Sequence, residues 1–218
     1  MAEAVLVVAP HPDDEAIGCG GMICLHRQRG DPVRVVFLTS GERGLAGPSD
    51  EVVCSIREAE AREAAAVLGV TGLDFLRLPD LGVAEHLEEG SERLGDVLKV
   101  HRPGLIYLPH PEEAHPDHEA ALPLVRAARR PHFGGAERPE LRAYEVWTPL
   151  SRYGWVEDIS AVMRQKLRAV RCYRSQLHAL RYDRAVCGLN RYRGVLAAGS
   201  RYAEAFQYLA PAAPASSP

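Results

Sequence analysis

Apolar residues fall along this chain in two kinds of run. Short, nearly continuous ones, Val5-Leu6-Val7-Val8-Ala9, the stretch 33–39 and Leu105-Ile106-Tyr107-Leu108, read as strands covered on both faces. Further strands are expected at 74–77 and 142–147, with a short one at 155–159. Between them the spacing lengthens to a period near 3.6, which predicts helices over 17–29, 51–68, 91–101, 118–129 and 160–173. The second helix is the best defined. Ser49 and Asp50 are its N-cap candidates, Gly69 its stop, and Val53, Ile56, Ala64 and Val67 its apolar stripe.

Strands and helices that alternate through short connections imply βαβ units with right-handed crossovers. The expected fold is a single-domain, Rossmann-like, doubly wound α/β structure, with a mainly parallel sheet and helices on both faces. A chain of 218 residues suits one such domain and is short for two. The segment 130–141 is rich in Pro, Gly and Arg and reads as a loop; 181–199, rich in Arg, Tyr and Gly, shows no clear period. The Ala/Pro/Ser tail 210–218 is expected to be disordered, which leaves 1–209 as the domain.

A net charge of −3 and a pI near 6.3 give no basic footprint for nucleic acid or an anionic membrane. No apolar stretch approaches a membrane span, and the first hydrophobic run is already a core strand rather than a signal segment. The five cysteines are odd in number and lack paired spacing, so they are expected as free thiols in a reducing cytoplasm. Cys19 and Cys24 fall in the first helix and read as packing residues.

Two polar clusters change the picture. His11-Pro12-Asp13-Asp14-Glu15 follows the first strand, and His115-Pro116-Asp117-His118 comes shortly after the 105–108 strand. In an open parallel sheet the rim at the carboxyl ends of the strands is where ligands bind. His11, Asp14 and His118 supply two imidazoles and one carboxylate, a donor set that suits a hydrolytic zinc with one open position. If Asp14 binds metal, Asp13 points elsewhere and can take a proton from the attacking water. His115 can face the metal without binding it. Held protonated by Asp117 or another acid, it would stabilise an oxyanion or protonate a leaving amine. Either cluster alone has a plainer reading: a turn with an Asx cap for the first, and a proline turn for the second. The two together, at strand ends of one domain, favour the metal.

At these residues the chain resembles the LmbE/PIG-L family of zinc-dependent N-deacetylases. The family's Ala-His-Pro-Asp-Asp-Glu signature appears as Ala9-Pro10-His11-Pro12-Asp13-Asp14-Glu15, followed by Ile17-Gly18-Cys19-Gly20-Gly21. The second signature, His-Pro-Asp-His, stands intact at 115–118. Similarity continues in Leu38-Thr39-Ser40-Gly41-Glu42, in Arg57-Glu58 with Glu60-Ala61, in Leu78-Pro79-Asp80, and in Tyr173 with Ser175-Gln176. The resemblance implies zinc on His11, Asp14 and His118, Asp13 as general base, and His115 on the oxyanion or amine with Asp117 orienting it. It also implies that Arg57, Asp80 and Glu42 contact the substrate. Arg57 has a plainer role as a helix-surface partner of Glu60 one turn on. Iron(II) or cobalt could occupy the same donors.

One departure stands out. Some members carry an aromatic residue two places before the first His of the second signature, where this chain has Glu113 after Glu112. Loop acids there are expected to face water. A closing tyrosine would then come from elsewhere, with Tyr153 and Tyr182 as candidates. The expected activity is removal of acetyl from an N-acetylated, GlcNAc-type amino sugar, a small-molecule substrate. An amidase cleaving a larger acyl group from a thiol-sugar conjugate is the nearest alternative. A nucleotide-binding Rossmann oxidoreductase is the alternative from a different class, although the first turn lacks a Gly-x-Gly-x-x-Gly fingerprint. A metal-holding module without catalysis would need neither Asp13 nor His115. The Arg/Tyr-rich C-terminal stretch offers a surface for pairing into a homo-oligomer.

Overall fold

The computed structural model describes residues 2–134 and 139–209, so the 210–218 tail lies outside the described residues. The strands are β1 (Val5–Ala9), β2 (Val33–Thr39), β3 (Gly72–Leu78), β4 (Leu105–Pro109), β5 (Glu140–Tyr144), β6 (Trp155–Asp158) and β7 (Ala203–Tyr208). They form one seven-stranded sheet in the order β3-β2-β1-β4-β5-β7-β6. β1 to β5 are parallel, whereas β7 runs antiparallel between β5 and β6. The helices are α1 (Asp14–Arg29), α2 (Asp50–Leu68), α3 (Leu87–His101), α4 (Pro116–Arg129), α5 (Met163–Val170), α6 (Arg174–Ala179) and α7 (Tyr182–Arg193).

Alternation along β1 divides the interior in two. Val5, Val7 and Ala9 pack with α1, α2 and α5 on one face of the sheet. Leu6 and Val8 pack with α3 and α4 on the other. That is why β1 reads as an unbroken apolar run: both of its faces are covered. The single α/β domain expected from the pattern is therefore present, with an antiparallel addition at one side.

The chain turns from β1 through β2 to β3 in one direction, then crosses back to place β4 on the other side of β1. The crevice between β1 and β4 is thus a topological switch point, the usual ligand site of an open α/β sheet. His11 follows β1 and His115 comes soon after β4, so both signatures open onto that crevice.

Several boundaries differ from the pattern. α1 begins at Asp14, because the residues of the first signature themselves form its first turn. The 142–147 strand is displaced to Glu140–Tyr144, so the expected 130–141 loop already includes its first two residues. It stops where the N–H groups of Val146, Trp147 and Thr148 turn aside to donate to Glu113. The 160–173 helix is broken, with α6 starting afresh at Arg174. α7 and a π-helical turn, Gly194–Ala198, occupy the unassigned 181–199. On α2 Ile56 is 36% exposed rather than part of the stripe, whereas Arg57 and Glu60 are buried.

Candidate active site

The first signature is held in a strained turn. Asp13 has φ +133°, a region that L-residues rarely enter. Two side chains fix it there. The Glu15 carboxylate accepts the Asp13 N–H at 3.2 Å, and Glu15 is held in turn by the Tyr173 hydroxyl at 2.6 Å. Arg57 donates to the Pro12 carbonyl at 2.7 Å and to Asp13 Oδ2 at 3.2 Å. The reverse orientation of adjacent side chains expected of Asp13 and Asp14 follows. Asp14 turns to accept the His11 N–H at 2.8 Å, while Asp13 faces Arg57.

His11 Nδ1, Asp14 Oδ2 and His118 Nε2 converge in a triangle with edges of 3.1, 3.2 and 3.3 Å. A tetrahedral ion with bonds of roughly 2.0–2.1 Å needs ligand atoms about 3.3–3.4 Å apart, so the donors fit one face of its shell. Asp14 Oδ1 and His118 Nδ1 are buried with no hydrogen-bond partner, a cost that a bound cation would offset for the carboxylate. This buried His/Asp group can hold a metal. The outer nitrogen of His11, Nε2, lies 3.1 Å from both Asp80 Oδ1 and Asp117 Oδ2. Carboxylates in that position fix the imidazole's tautomer and raise its basicity as a ligand.

Electrostatics divide the acids. Burial pushes the Asp13 carboxyl up to about 7, even though Arg57 opposes the rise. For Asp14 burial acts in the same sense, but His118 and His11 overcome it and hold the group well below the ordinary carboxylate range. Burial likewise resists ionisation of Asp80, but the His11 contact, the Arg43 N–H and the Arg57 charge together outweigh it and bring Asp80 to about 2. Of two adjacent acids, one is a stable anion suited to a cation and the other is poised to exchange a proton.

His115 is the N-cap residue of α4, and its Nδ1 accepts the Asp117 N–H at 3.3 Å. The proton is thereby placed on Nε2. Burial, then His11 and His118, lower its pKa. This departs from the expectation of an imidazolium held by an acid: Nδ1 accepts a backbone N–H, which leaves Nε2 as the ring's N–H donor. The role expected of Asp117 changes too. Its carboxylate does not hydrogen-bond His115; it accepts the Leu81 and Val83 N–H groups and faces His11.

A cavity of 220 Å³ opens over these groups, lined among others by Asp13, Arg57, Asp80, His115, Trp147 and Tyr182. Arg57 and Asp80 line this cavity, and the surface pairing of Arg57 with Glu60 is absent, since Glu60 accepts from Ser175 instead. Glu42 is not among the lining residues. Its carboxylate accepts the Asp80 N–H at 2.8 Å, so it acts on Asp80 rather than facing the cleft. Of the two tyrosine candidates, Tyr182 lines the cavity and Tyr153 lies exposed beneath Arg193.

Glu113 is the clearest residue that sequence reasoning misplaced. Glu112 is exposed as expected, but Glu113 is 1% exposed. It accepts three successive backbone N–H groups, and its Oε2 lies 3.8 Å from His118 Nδ1. Charge alone pointed to solvent; its place two residues before the second signature was the available signal. Arg43 and Trp147, which also line the cavity, were not singled out, and Gln176 entered only through the family resemblance, with no site role assigned.

A group that can hold a metal, a carboxyl pushed up to about 7 and an imidazole donor at the switch point of a parallel α/β sheet suit a hydrolase. Comparison with known proteins makes the assignment specific, because the family described as PIG-L: GlcNAc-PI de-N-acetylase matches residues 6–129. The chain belongs to this LmbE/PIG-L family, which removes the nucleotide-binding oxidoreductase from consideration. It is 32% identical over 195 residues to the Bacillus cereus "Probable N-acetyl-alpha-D-glucosaminyl L-malate deacetylase 2", covering 84% of this chain and 88% of that one. Among solved structures, the conserved protein TT1542 of Thermus thermophilus superposes with a TM-score of 0.82 at 32% identity, over 99% of this chain and 100% of that one. The N,N'-diacetylchitobiose deacetylase of Pyrococcus horikoshii gives 0.83 at 26% identity, over 95% and 84%. No helix among the described residues is long and apolar enough to cross a membrane.

Proposed function

We propose that this protein hydrolyses the N-acetyl group of a GlcNAc-type amino sugar, with a divalent ion held by His11, Asp14 and His118. The observation that carries the reading is the meeting of His11 Nδ1, Asp14 Oδ2 and His118 Nε2 beside Asp13 and His115. When bound, a divalent ion supplies Lewis acidity to the amide carbonyl and a lowered pKa to water; zinc suits the donors, and iron(II) or cobalt satisfies them too. Asp13 takes a proton from the attacking water as oxygen adds to the carbonyl carbon. His115 donates its Nε2–H to the oxygen that gains charge. The N-termini of α1 and α4 converge on the same place and add favourable dipoles. As the C–N bond breaks, Asp13 returns its proton to the departing amine, leaving acetate and the free amino sugar.

Arg57 and Asp80 bind the sugar at the cleft rim, and Glu42 holds the Asp80 loop. Relatives named for glucosaminyl malate and for diacetylchitobiose share an acetylated glucosamine and differ beyond it. That common part is the substrate class we assign.

The test joins two measurements on the purified protein: metal content, and acetate release from a small panel of N-acetylglucosaminides. Stoichiometric zinc or iron with acetate release supports the reading. A metal-loaded protein that releases acetate from none of them overturns it.

A further inference from the structure

A second cavity, of 280 Å³, lies directly behind the catalytic one. Among the described residues the two share only Trp147 and Tyr182, which therefore stand between them. The rings meet edge to face, with centroids 5.1 Å apart and planes at 79°. Behind them the chamber is walled by Ile17, Val146, Pro149, Ala185, Val186 and Leu189. Its charged members are already engaged. Glu145 accepts from Arg193 and the Leu150 N–H, and Glu204 accepts from Lys166 and from the Gly21 and Met22 N–H groups. What remains is largely apolar space, with one unpartnered acceptor, Asn190 Oδ1, in its wall.

We propose that Trp147 and Tyr182 are an acyl-length filter: they confine the catalytic cavity to acetyl and close off a preformed chamber that fits a longer aliphatic acyl chain. This rests on the amide-hydrolase reading above. The catalytic cavity has a polar rim, with Arg43, Arg57 and Asp80, and an aromatic rim, with Trp147 and Tyr182. Sugar hydroxyls need hydrogen-bond partners, so the amine side of the amide belongs on the polar rim. The acyl substituent is the other group on the amide and points to the aromatic rim. An acetyl methyl ends there, whereas a butyryl chain must pass between the rings. The chamber's 280 Å³ far exceeds the two extra methylenes of butyryl, since even a water's share of liquid is about 30 Å³.

Trp147 is suited to this role. Its backbone N–H is fixed by Glu113, yet the residue is 44% exposed, so truncating the ring leaves the two main cores untouched.

The experiment compares kcat/KM for N-acetyl, N-butyryl and N-hexanoyl glucosaminides with one short aglycone, and for N-acetyl glucosaminides carrying short and long alkyl aglycones. It uses the metal-loaded wild type, Trp147→Ala, Tyr182→Ala, and Trp147→Ala combined with Leu189→Trp. The wild type is expected to prefer acetyl. In Trp147→Ala the butyryl-to-acetyl ratio should rise at least about tenfold, each buried methylene being worth roughly fourfold. Leu189→Trp, by filling the chamber, should reverse that gain. The ratio is internal to each variant, so partial loss of folded protein does not move it. Unchanged ratios in both single variants that still release acetate overturn the filter while leaving the deacetylase reading intact. A wild type that cleaves butyryl as readily as acetyl overturns it as well. If the variants instead gain on long-chain alkyl glycosides and not on long acyl groups, the chamber serves the aglycone and the proposal is wrong. Failure of the metal-loaded wild type on every acetylated member removes the underlying reading itself.

Discussion

Asp13 shows how much chemistry one residue's surroundings can decide. Its backbone is strained, its carboxyl is pushed up to about 7 by burial, and Arg57 leads the charges that oppose the rise, ahead of His11 and His118. Asn tolerates positive φ better than most residues and keeps the shape of Asp, so Asp13→Asn tests the base without disturbing the turn. Its kcat should fall by roughly two to four orders of magnitude while metal content, read by elemental analysis, is kept. The same logic gives a sign for pH. A general base works when deprotonated, so kcat/KM falls as pH drops through its pKa. Removing the charge that favours the anion must raise that pKa. In Arg57→Gln the acid limb of the pH–rate profile should therefore move to higher pH; a limb that stays or moves down excludes Arg57 as the partner of the base. His118→Ala makes a different prediction, loss of metal together with activity, and a variant retaining stoichiometric metal would take His118 out of the ligand set. Asp13 and His118 were legible in the sequence as candidates because each belongs to a short, dense motif, whereas Arg57 stood out only through the family resemblance. The protonation of His115 and the partner of Asp117 were not, because both depend on which nitrogen caps α4 and on a loop, Leu81–Val83, remote in sequence.

At the scale of elements, α2 is the instructive case. The apolar pattern predicted its length and its Gly69 stop correctly, and Gly69 does adopt the left-handed conformation with its N–H on the Ala65 carbonyl. The pattern failed only at its active-site end, where Arg57, Glu58 and Glu60 are buried and Ile56 is not. Polar residues on the inner face of a helix break the periodic rule because they serve a site rather than a core. Arg57 needs room, and glycine supplies it. Gly41 has φ +68°, and a Cβ there would lie 1.9 Å from Arg57 Nη1. Gly41→Ala should cost on the order of 1–3 kcal/mol in urea unfolding, and kcat/KM should drop further than stability explains, because the guanidinium that steadies Asp13 is displaced. Retained activity at reduced stability would show that Arg57 finds its place without this glycine. β7 was missed for a related reason. Ala203–Tyr208 alternates weakly in sequence, and its strand character comes from pairing with β5 and β6, which are distant along the chain.

For the molecule as a whole, the question is what keeps the parallel sheet, α1 and the C-terminal additions in one register. A buried ion pair sits where they meet. Lys166 of α5 and Glu204 of β7 are both almost fully buried, with Nζ 2.6 Å from Oε1. Glu204 also accepts the N–H groups of Gly21 and Met22, each at 2.7 Å. Those donors are free because α1 leaves helical geometry at Cys19 (φ −137°, ψ 22°), which in effect starts a second helix there. One carboxylate thus caps the resumed helix, holds β7 against it and neutralises α5. Removing a single partner leaves a charge in the interior with no counter-ion, which typically costs about 3–5 kcal/mol, whereas removing both charges together is often nearly neutral. Lys166→Met should therefore lower unfolding stability by about that much in guanidinium, and Lys166→Met with Glu204→Gln should recover most of the loss. Because α1 carries Asp14 and Glu15 in its first turn, the single variant should also bind metal more weakly, and the double variant should regain that affinity in parallel. If Lys166→Met loses less than about 1 kcal/mol, the two N–H donors alone suffice for Glu204, and the register of α1 is set by packing against the sheet. Recovery of stability without recovery of metal affinity would instead mean that the charge pair positions the first turn beyond holding the fold together.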